Sequence, residues 1–290
     1  MKLAFFIGLF FVVPLWACDK QAKDPSRIAV AGGSITEILY FLGEESRIVA
    51  VDITSNFPEA ATSLPSIGYV RNLSAEGTLS LNPTLVLGED DMGPQEILDQ
   101  LKATSIEVVR IPENHSSDGI IEKIYCVGTI IGLDKKKLDL VVAPMRRKAQ
   151  TLASAMRDDA PKVALLLSIR DGVPTAAGTG TSGHGVLEMS GAKNVFDVFS
   201  GWKPISLESM ATSNPEFIVI PERGMQMAGG IDAVFDHPAV KVTEAGQKGN
   251  ILAVDGMSLL GFGPRTLDTA VTIARAIGII KEDLSELDGL

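Results

Sequence analysis

Tyr69 and Arg71 stand two positions apart in the run Gly-Tyr-Val-Arg-Asn that begins at Gly68. In an extended segment, side chains at this spacing leave the same face. A tyrosine phenolate is a hard oxygen ligand for ferric iron, and tyrosine is among the axial ligands that proteins use for haem. The guanidinium of Arg71 favours the ionised phenolate, or it pairs with a haem propionate. An edge-strand tyrosine beside a solvated arginine is the alternative, so the surrounding sequence has to decide.

The composition is that of an ordinary globular protein. The chain has 290 residues, of which 46% are hydrophobic and 21% are charged, and this length suits one large domain or two lobes. The formal net charge is -10. Because nucleic-acid binding needs clustered lysine and arginine, the acidic balance predicts no nucleic-acid partner.

Residues 1–17 have the pattern of a signal peptide, with a basic start and an apolar run too short to span a membrane as a mature helix. The run ends Leu-Trp-Ala-Cys, which resembles a bacterial lipobox with Cys18 as the lipidated first residue of the mature chain. Asp19 resembles the signal that keeps such lipoproteins at the inner membrane. We therefore predict a periplasmic protein anchored to the inner membrane by lipidated Cys18, with residues 18–26 as a linker. Ordinary signal cleavage nearby is the alternative.

Cys18 and Cys126 are the two cysteines of the chain. Cys126 lies on an apolar helical stretch and is predicted to be a buried free thiol that behaves as a small hydrophobic residue. A disulfide between Cys18 and Cys126 is the alternative that the sequence leaves open.

The order of the predicted elements indicates an α/β fold. Apolar β-runs alternate with helices over residues 27–133, which predicts a parallel sheet wrapped by helices as the N-terminal lobe. Residues 134–158 have apolar positions three or four apart and predict a helix of roughly 35 Å, in which Pro144 should cause a kink or a restart. Residues 159–290 repeat the first pattern weakly as the C-terminal lobe. The predicted fold is two Rossmann-like β/α lobes joined by a single long connecting helix.

The repeat between the lobes is clearest around two glutamates. Glu76 precedes Pro83 by seven residues, and Glu208 precedes Pro215 by seven, within similar Ser-x-Glu and Asn-Pro surroundings. Each glutamate falls in the first turn of a predicted helix, where it favours the helix dipole.

The sequence gives weaker signals for nucleotide binding, for a histidine metal site and for hydrolysis. Residues 32–34, Gly-Gly-Ser, follow a strand but lack both the dinucleotide pattern and the lysine of a P-loop, so we expect a turn whose backbone N–H groups hold a carboxylate such as a propionate. The three histidines lie in unrelated contexts without metal-ligand spacing. An exported hydrolase using Ser182 and His184 remains an alternative function, although the two do not form a Gly-x-Ser-x-Gly motif.

The run from Gly68 to Gly77, Gly-Tyr-Val-Arg-Asn-Leu-Ser-Ala-Glu-Gly, resembles the haem-binding branch of the substrate-binding proteins of bacterial ABC importers. The resemblance extends over roughly residues 27 to 280 and implies a ligand cleft between two lobes. It implies that the chain is not an enzyme, that its cargo is haem b, and that Tyr69 is the axial ligand of the iron with Arg71 as support. Ferric siderophores and corrinoids are the alternative cargoes for the same fold.

The resemblance also implies partners and further contacts. Glu76 and Glu208 would dock onto arginines of an inner-membrane ABC permease dimer, which works with its ATPase, and the binding protein itself is expected to be a monomer. Some haem binders of this type offer a histidine from the second lobe, but none occurs near residues 168–171. Arg170 is therefore expected to serve a propionate, and Met257, from a glycine-rich loop, to line the pocket.

Overall fold

The computed structural model describes Cys18 and residues 20–280. The predicted signal peptide, residues 1–17, and the acidic tail from residue 281 lie outside the described residues. No helix within the described part of the chain is long and apolar enough to cross a membrane.

The N-terminal lobe contains a parallel four-stranded sheet whose strand order is β2-β1-β5-β6. The short strands β3 and β4 pair with each other as an antiparallel hairpin. The bounds are β1 Ile28–Ala31, β2 Ile48–Val51, β3 Gly68–Tyr69, β4 Asn72–Leu73, β5 Leu85–Glu89 and β6 Glu107–Ile111.

Helices cover both faces of this sheet, which is why its central strands are continuously apolar. All four residues of β1 are buried: Ile28 and Val30 face one cluster of the core, and Ala29 and Ala31 face another. The helices of this lobe are α1 Gly33–Phe41, α2 Ala75–Ser80, α3 Gln95–Lys102 and α4 Ser117–Ile130.

Helix α5, Lys135–Ala155, lies within the segment predicted to connect the lobes. Asp134 caps it by accepting a hydrogen bond from the Lys136 backbone N–H at 2.7 Å. Its 21 residues correspond to about 32 Å at 1.5 Å per residue. Pro144 lies inside one continuous helix, so the predicted restart does not occur. The buried stripe consists of Leu138, Val142, Met145, Ala149 and Leu152.

The C-terminal lobe contains a mixed sheet with the path β10-β8-β7-β11-β12, and β9 pairs with β7. Strand β7 is parallel to β11 and β9 but antiparallel to β8. The bounds are β7 Lys162–Arg170, β8 Val173–Ala177, β9 Lys193–Asn194, β10 Trp202–Pro204, β11 Phe217–Pro221 and β12 Ile251–Val254.

Eight helices complete this lobe within the described residues: α6 Ser182–Met189, α7 Leu207–Ser213, α8 Glu222–Met227, α9 Ile231–Asp236, α10 Pro238–Lys241, α11 Glu244–Lys248, α12 Gly256–Leu260 and α13 Thr266–Ala276. One hydrophobic cluster runs from β1 across α5 and α13 to Val163 and Leu165 of β7. The two lobes therefore share a continuous core on the side of α5.

The structure joins Cys18 to Cys126 in a disulfide bond. The prediction of a free Cys126 thiol is therefore wrong in this structure, although the residue is buried as expected, with 4% of its surface exposed. The two cysteines meet because the segment after Cys18 turns back onto α4. A sulfur atom in a disulfide cannot also carry a thioether-linked lipid, so this bond and the predicted lipidation are two different chemical states of Cys18.

The segment predicted as a linker is docked on the N-terminal lobe. Ala22 is 4% exposed, and its backbone N–H donates to the carbonyl of Ile130 at 2.8 Å. The Lys23 N–H donates to the Glu107 carboxylate at 2.9 Å. The polar composition of residues 20–26 correctly predicts a loop. It does not predict that this loop is fixed to the lobe by the burial of Ala22.

Candidate functional site

Tyr69 lies on the β3–β4 hairpin at the carboxyl edge of the N-terminal sheet. The Ile53 N–H donates to the carbonyl of Gly68 at 2.9 Å, and the Gly93 N–H donates to the carbonyl of Val70 at 2.9 Å. Gly68 has φ +102°, and a Cβ there would lie 2.9 Å from the carbonyl oxygen of Asn72. Glycine is thus required for the tight turn that precedes Tyr69.

Arg71 contacts Tyr69 as the two-residue spacing predicts. Its Nη1 donates a hydrogen bond to the Tyr69 hydroxyl oxygen at 2.8 Å. That oxygen is the atom that would bind a metal, and it lies beside a positive charge on a half-buried residue. The arrangement suits an anionic oxygen ligand, because a charged donor stabilises a phenolate more than a neutral phenol.

Asp91 completes this group, and sequence reasoning missed it. Its Oδ2 accepts hydrogen bonds from the Nε of Arg71 at 2.6 Å and from Nη2 at 2.5 Å. Arg71 is therefore held between Tyr69 and Asp91, although 63% of its side chain remains exposed. The available signal is positional: Asp91 follows the end of β5, and the carboxyl ends of parallel strands meet at one edge of a sheet.

Asp52 fixes the hairpin to the rest of this edge. It is 2% exposed; its Oδ1 accepts from the Gly32 N–H at 2.9 Å, and its Oδ2 accepts from the Val70 N–H at 3.2 Å. The Thr54 N–H donates to Oδ2 at 3.1 Å. One buried carboxylate thus joins the turn after β1, the loop after β2 and the hairpin that carries Tyr69.

The turn at residues 32–34 does not offer the carboxylate site that its sequence predicts. The chain's own side chains already occupy its N–H groups: Gly32 donates to Asp52, Gly33 donates to Thr54 Oγ1 at 3.0 Å, and Ser34 donates to Glu89 Oε1 at 3.2 Å. A propionate would have to displace these partners. We therefore correct that expectation.

The buried Ser34 and Lys123 and the partly buried Glu89 form a polar network behind the Tyr69 edge. The Ser34 hydroxyl donates to Glu89 at 2.5 Å, and burial raises the pKa of Glu89 to about 7. Lys123 donates to Ser34 Oγ at 3.2 Å and to both carboxylate oxygens of Glu113 at 2.8 Å. Its ammonium also reaches the carbonyl of Gly261 in the other lobe at 3.3 Å. The network thus continues across the seam between the lobes.

A second polar contact crosses the seam at Arg265. Its Nε and Nη2 donate to the two carboxylate oxygens of Glu37 at 2.9 and 2.6 Å, and its Nη1 donates to Asp255 at 3.0 Å. The guanidinium also lies 3.8 Å from the ring centroid of Phe57. Burial raises the pKa of Glu37 although Arg265 opposes the effect. All three nitrogen atoms of the Arg265 guanidinium therefore bond to carboxylates, and two of these hydrogen bonds join the lobes.

Met257 and Arg170, the two predicted C-terminal contacts, lie in different settings. The Met257 side chain packs at the seam, where a Cβ on Gly33 would lie 2.7 Å from its Cε. The same Cβ would lie 2.7 Å from the backbone carbonyl oxygen of Thr54, which is why glycine is required at this turn. Arg170 is exposed at the end of β7, where it pairs with Val173 across the β7–β8 hairpin. Met257 thus lies beside the N-terminal edge, and Arg170 lies on a projecting hairpin.

Glu76 and Glu208 occupy matching positions in the two lobes. Each is exposed in the first turn of a short helix capped by serine: Ser74 Oγ accepts from the Gly77 N–H at 3.0 Å, and Ser206 Oγ accepts from the Ser209 N–H at 3.1 Å. Hydrogen bonds from its own backbone and from Ser206 lower the pKa of Glu208. Both side chains are accessible to a partner.

The histidines contribute to packing rather than to a metal site. His184 contacts Asn194 through Nδ1 at 3.1 Å and Glu188 through Nε2 at 3.4 Å, so its ring is engaged with residues other than Ser182. The His115 ring packs on Phe262 at the seam, with centroids 4.8 Å apart, and burial lowers its pKa. Within Cys18 and residues 20–280, no group of three or more His, Cys, Asp or Glu side chains could hold a metal ion.

Solved structures of periplasmic heme-binding proteins share this architecture. RhuT from Roseiflexus sp. RS-1, in apo form, superposes with a TM-score of 0.81 and 32% sequence identity, over 87% of this chain and 97% of that chain. HutB of Vibrio cholerae superposes with a TM-score of 0.79 and 33% identity, over 87% of this chain and 98% of that chain. These similarities confirm the predicted two-lobed α/β fold.

Sequence relatives include proteins with other names. The "Uncharacterized ABC transporter substrate-binding lipoprotein YvrC" of Bacillus subtilis (strain 168) is 25% identical over 270 residues, which are 88% of this chain and 81% of that protein. The "Vitamin B12-binding protein" of Yersinia pestis (strain Pestoides F) is 27% identical over 208 residues, 69% of this chain and 70% of that protein. The family model described as "Periplasmic binding protein" matches residues 28–256, and the chain therefore belongs to the periplasmic binding protein family.

Proposed function

We propose that this chain is the substrate-binding component of an ABC importer, that its cargo is haem b, and that Tyr69 binds the haem iron. The observation that carries the proposal is the Tyr69–Arg71–Asp91 group, which holds a tyrosine oxygen beside a guanidinium at the carboxyl edge of the N-terminal sheet. The similarity to solved heme-binding proteins supports the choice of cargo.

Each residue of the group has a separate task in this proposal. Tyr69 gives up its hydroxyl proton and supplies an anionic oxygen to ferric iron. The Nη1 of Arg71 donates to the same oxygen and offsets its charge, and Asp91 holds the guanidinium in place. Met257 provides adaptable apolar surface from the other lobe. Arg170 serves a propionate from the exposed hairpin. No chemical transformation of the cargo is required.

The decisive experiment is a haem titration of the mature chain followed at the Soret band, for the wild type and for Tyr69→Phe. We expect saturable binding with a tyrosinate-type high-spin ferric spectrum in the wild type. The phenylalanine variant should lose that spectrum and bind about 10-fold or more weakly. Tyr125→Phe is the matched control, because Tyr125 hydrogen-bonds Asp139 on the α4–α5 side. A folded wild type that shows no saturable haem binding would refute the proposed cargo.

A corrinoid is the second candidate cargo, and the similarity to vitamin B12-binding proteins favours it specifically. A parallel titration with cyanocobalamin separates the two. If the cargo is a corrinoid, cyanocobalamin should saturate the chain, and Tyr69→Phe should change its affinity little, because the cobalt already carries its own axial ligands.

Delivery of the cargo requires contact with the membrane permease and thereby with its ATPase. We propose that Glu76 and Glu208, one from each lobe, meet basic residues on the two permease subunits. The pKa of Glu208 is lowered, so its carboxylate is ionised at neutral pH, as an ordinary glutamate is and as such a contact needs. Charges at the rim of an interface contribute to orientation and association rate more than to affinity. This function places the chain on the outer side of the cytoplasmic membrane.

A further inference from the structure

The disulfide fastens the start of the described chain to the buried side of α4. Cys126 belongs to the hydrophobic cluster that the two lobes share and is 4% exposed. Cys18 packs against the same cluster. A bond at this place therefore needs the polar segment after Cys18 to lie along the lobe.

Contacts independent of the sulfur atoms hold that segment. The Ala22 N–H donates to the Ile130 carbonyl at the end of α4, and the Lys23 N–H donates to Glu107 at the start of β6. The Gln21 side chain lies against Gly132, where a Cβ would approach its Nε2 to 2.4 Å. Residues 20–23 are thus seated between α4 and β6. This seating brings Cys18 to Cys126.

We propose that the Cys18–Cys126 disulfide forms in the exported chain and that it competes with lipid attachment at Cys18. Each Sγ forms one bond besides that to Cβ, so Cys18 carries either a thioether-linked lipid or the bond to Cys126. The chain then has two covalent forms. One is anchored to the membrane and has a free Cys126 thiol. The other contains the disulfide, and it is unanchored because ordinary signal cleavage hydrolyses a peptide bond before Cys18 and removes the leader. The inference is independent of the cargo.

The oxidation requires an acceptor for two electrons. The two thiols lose two protons and two electrons, and the sulfur atoms bond to each other. The acceptor is a disulfide of an exported thiol–disulfide exchange protein, which is reduced to a dithiol. Exchange starts when a thiolate of the chain attacks that disulfide, and the second cysteine then displaces the exchange protein. Disulfides of this kind persist in oxidising compartments outside the cytoplasm.

The structure also shows where a free Cys126 would be reached. Cys18 and Cys126 line a cavity of about 820 Å³ together with Tyr125, Thr129 and Arg146. In the anchored form the Cys126 thiol would face this space without a sulfur partner. A small alkylating reagent should therefore modify the anchored form and not the disulfide form.

The test uses the full chain exported with its own leader. Membrane and soluble fractions are alkylated after denaturation, with and without prior reduction, and their intact masses are measured. We expect a soluble, lipid-free chain with no alkylation before reduction and two alkylated cysteines after it. The membrane fraction should carry the lipid mass and one alkylated cysteine, Cys126. The proposal is overturned if the soluble chain has free thiols, or if every chain is lipidated with Cys126 free.

Two variants keep the result interpretable. In Cys126→Ser, Cys18 can be lipidated but cannot form the disulfide. The soluble disulfide form should therefore be lost, and a larger share of the chain should be in the membrane fraction. Cys18→Ser should give a soluble chain with one alkylatable thiol. If Cys126→Ser leaves the distribution of the chain between the two fractions unchanged, disulfide formation and lipidation do not compete for Cys18. Thermal unfolding of both variants checks that they are folded, and haem titration reports separately on the proposed cargo.

Discussion

Arg71 is the residue whose environment departs most from what its sequence neighbours suggest. The two-residue spacing correctly predicts its contact with Tyr69, because neighbouring side chains on an extended segment share a face. It does not predict Asp91, which lies 20 residues further along the chain. The same is true of Glu89, which Ser34 binds across a separation of 55 residues. Local spacing identifies partners within one segment, whereas partners on other strands depend on the order of the strands in the sheet.

Asp91→Asn tests whether the carboxylate positions Arg71. The loss of the charge should let the guanidinium move away from Tyr69, and haem affinity should fall by roughly 3- to 10-fold, since the pair is partly exposed. A shift of the iron–phenolate absorption and recovery in Asp91→Glu would separate positioning from general destabilisation. Asp90→Asn is the matched control. An unchanged spectrum in Asp91→Asn would contradict the assigned role.

Glu89 should make the stability of the protein depend on pH. Burial raises its pKa to about 7 from 4.5, so the folded chain binds this proton more tightly than the unfolded chain. The contribution of Glu89 to the free energy of unfolding is therefore greatest below pH 4.5 and decreases as the pH rises through 7, by at most about 3 kcal/mol.

Urea unfolding of the wild type and of Glu89→Gln between pH 5 and 8 measures this effect. The variant should lose the part of the pH dependence that Glu89 causes, while Lys123, Glu113 and Asp91, which act on Glu89 electrostatically, remain in place. Parallel pH profiles for the two proteins would show that Glu89 does not titrate in this range.

At the scale of elements, Asp52 joins the hairpin that carries Tyr69 to the loops that follow β1 and β2. Three backbone N–H groups from separate loops donate to this one carboxylate. The sequence predicts the strand before Asp52 but not this function, because a polar residue after a strand also fits an ordinary turn. The sequence pattern does not predict strand β8 either, because Val173–Ala177 is a short segment that contains proline.

Asp52→Ala should lower the free energy of unfolding by about 2–4 kcal/mol, because buried backbone donors lose their acceptor. Asp52→Asn keeps one acceptor oxygen and should cost less. Chemical denaturation of both variants provides the measurement, and the exposed Asp90→Ala should be nearly neutral. Equal losses for Asp52→Asn and Asp52→Ala would indicate that the charge, rather than the number of acceptors, is decisive.

At the scale of the whole molecule, the order of strands and helices predicts two lobes but not the way in which they are joined. The contacts across the seam include Arg265 with Glu37, Lys123 with the Gly261 carbonyl, and His115 with Phe262. Each pairs residues far apart in the sequence, so no periodicity reveals them. The sequence repeat between the lobes, by contrast, predicts that Glu76 and Glu208 have equivalent positions in the two lobes, since they occur in the same local motif.

Charge reversal at the matched glutamates tests the docking role separately from cargo binding. Glu76→Lys with Glu208→Lys should leave haem affinity unchanged, because both side chains are exposed. Stability should fall slightly, because a lysine in the first turn opposes the helix dipole. Uptake of haem by cells that depend on this importer should be strongly reduced. Glu96→Lys, an exposed first-turn glutamate of α3, is the control. Normal uptake by the double variant would exclude these glutamates as docking residues.

The ion pairs of Arg71, Lys123 and Arg265 also affect how fast an anionic ligand arrives. Each cation already bonds to a carboxylate of the protein, and the chain as a whole carries a net charge of -10. A ligand with carboxylates therefore experiences repulsion at long range, and its attractive contacts form only after it has reached the Tyr69 edge. Its association rate constant should rise with ionic strength, as mobile ions screen that repulsion.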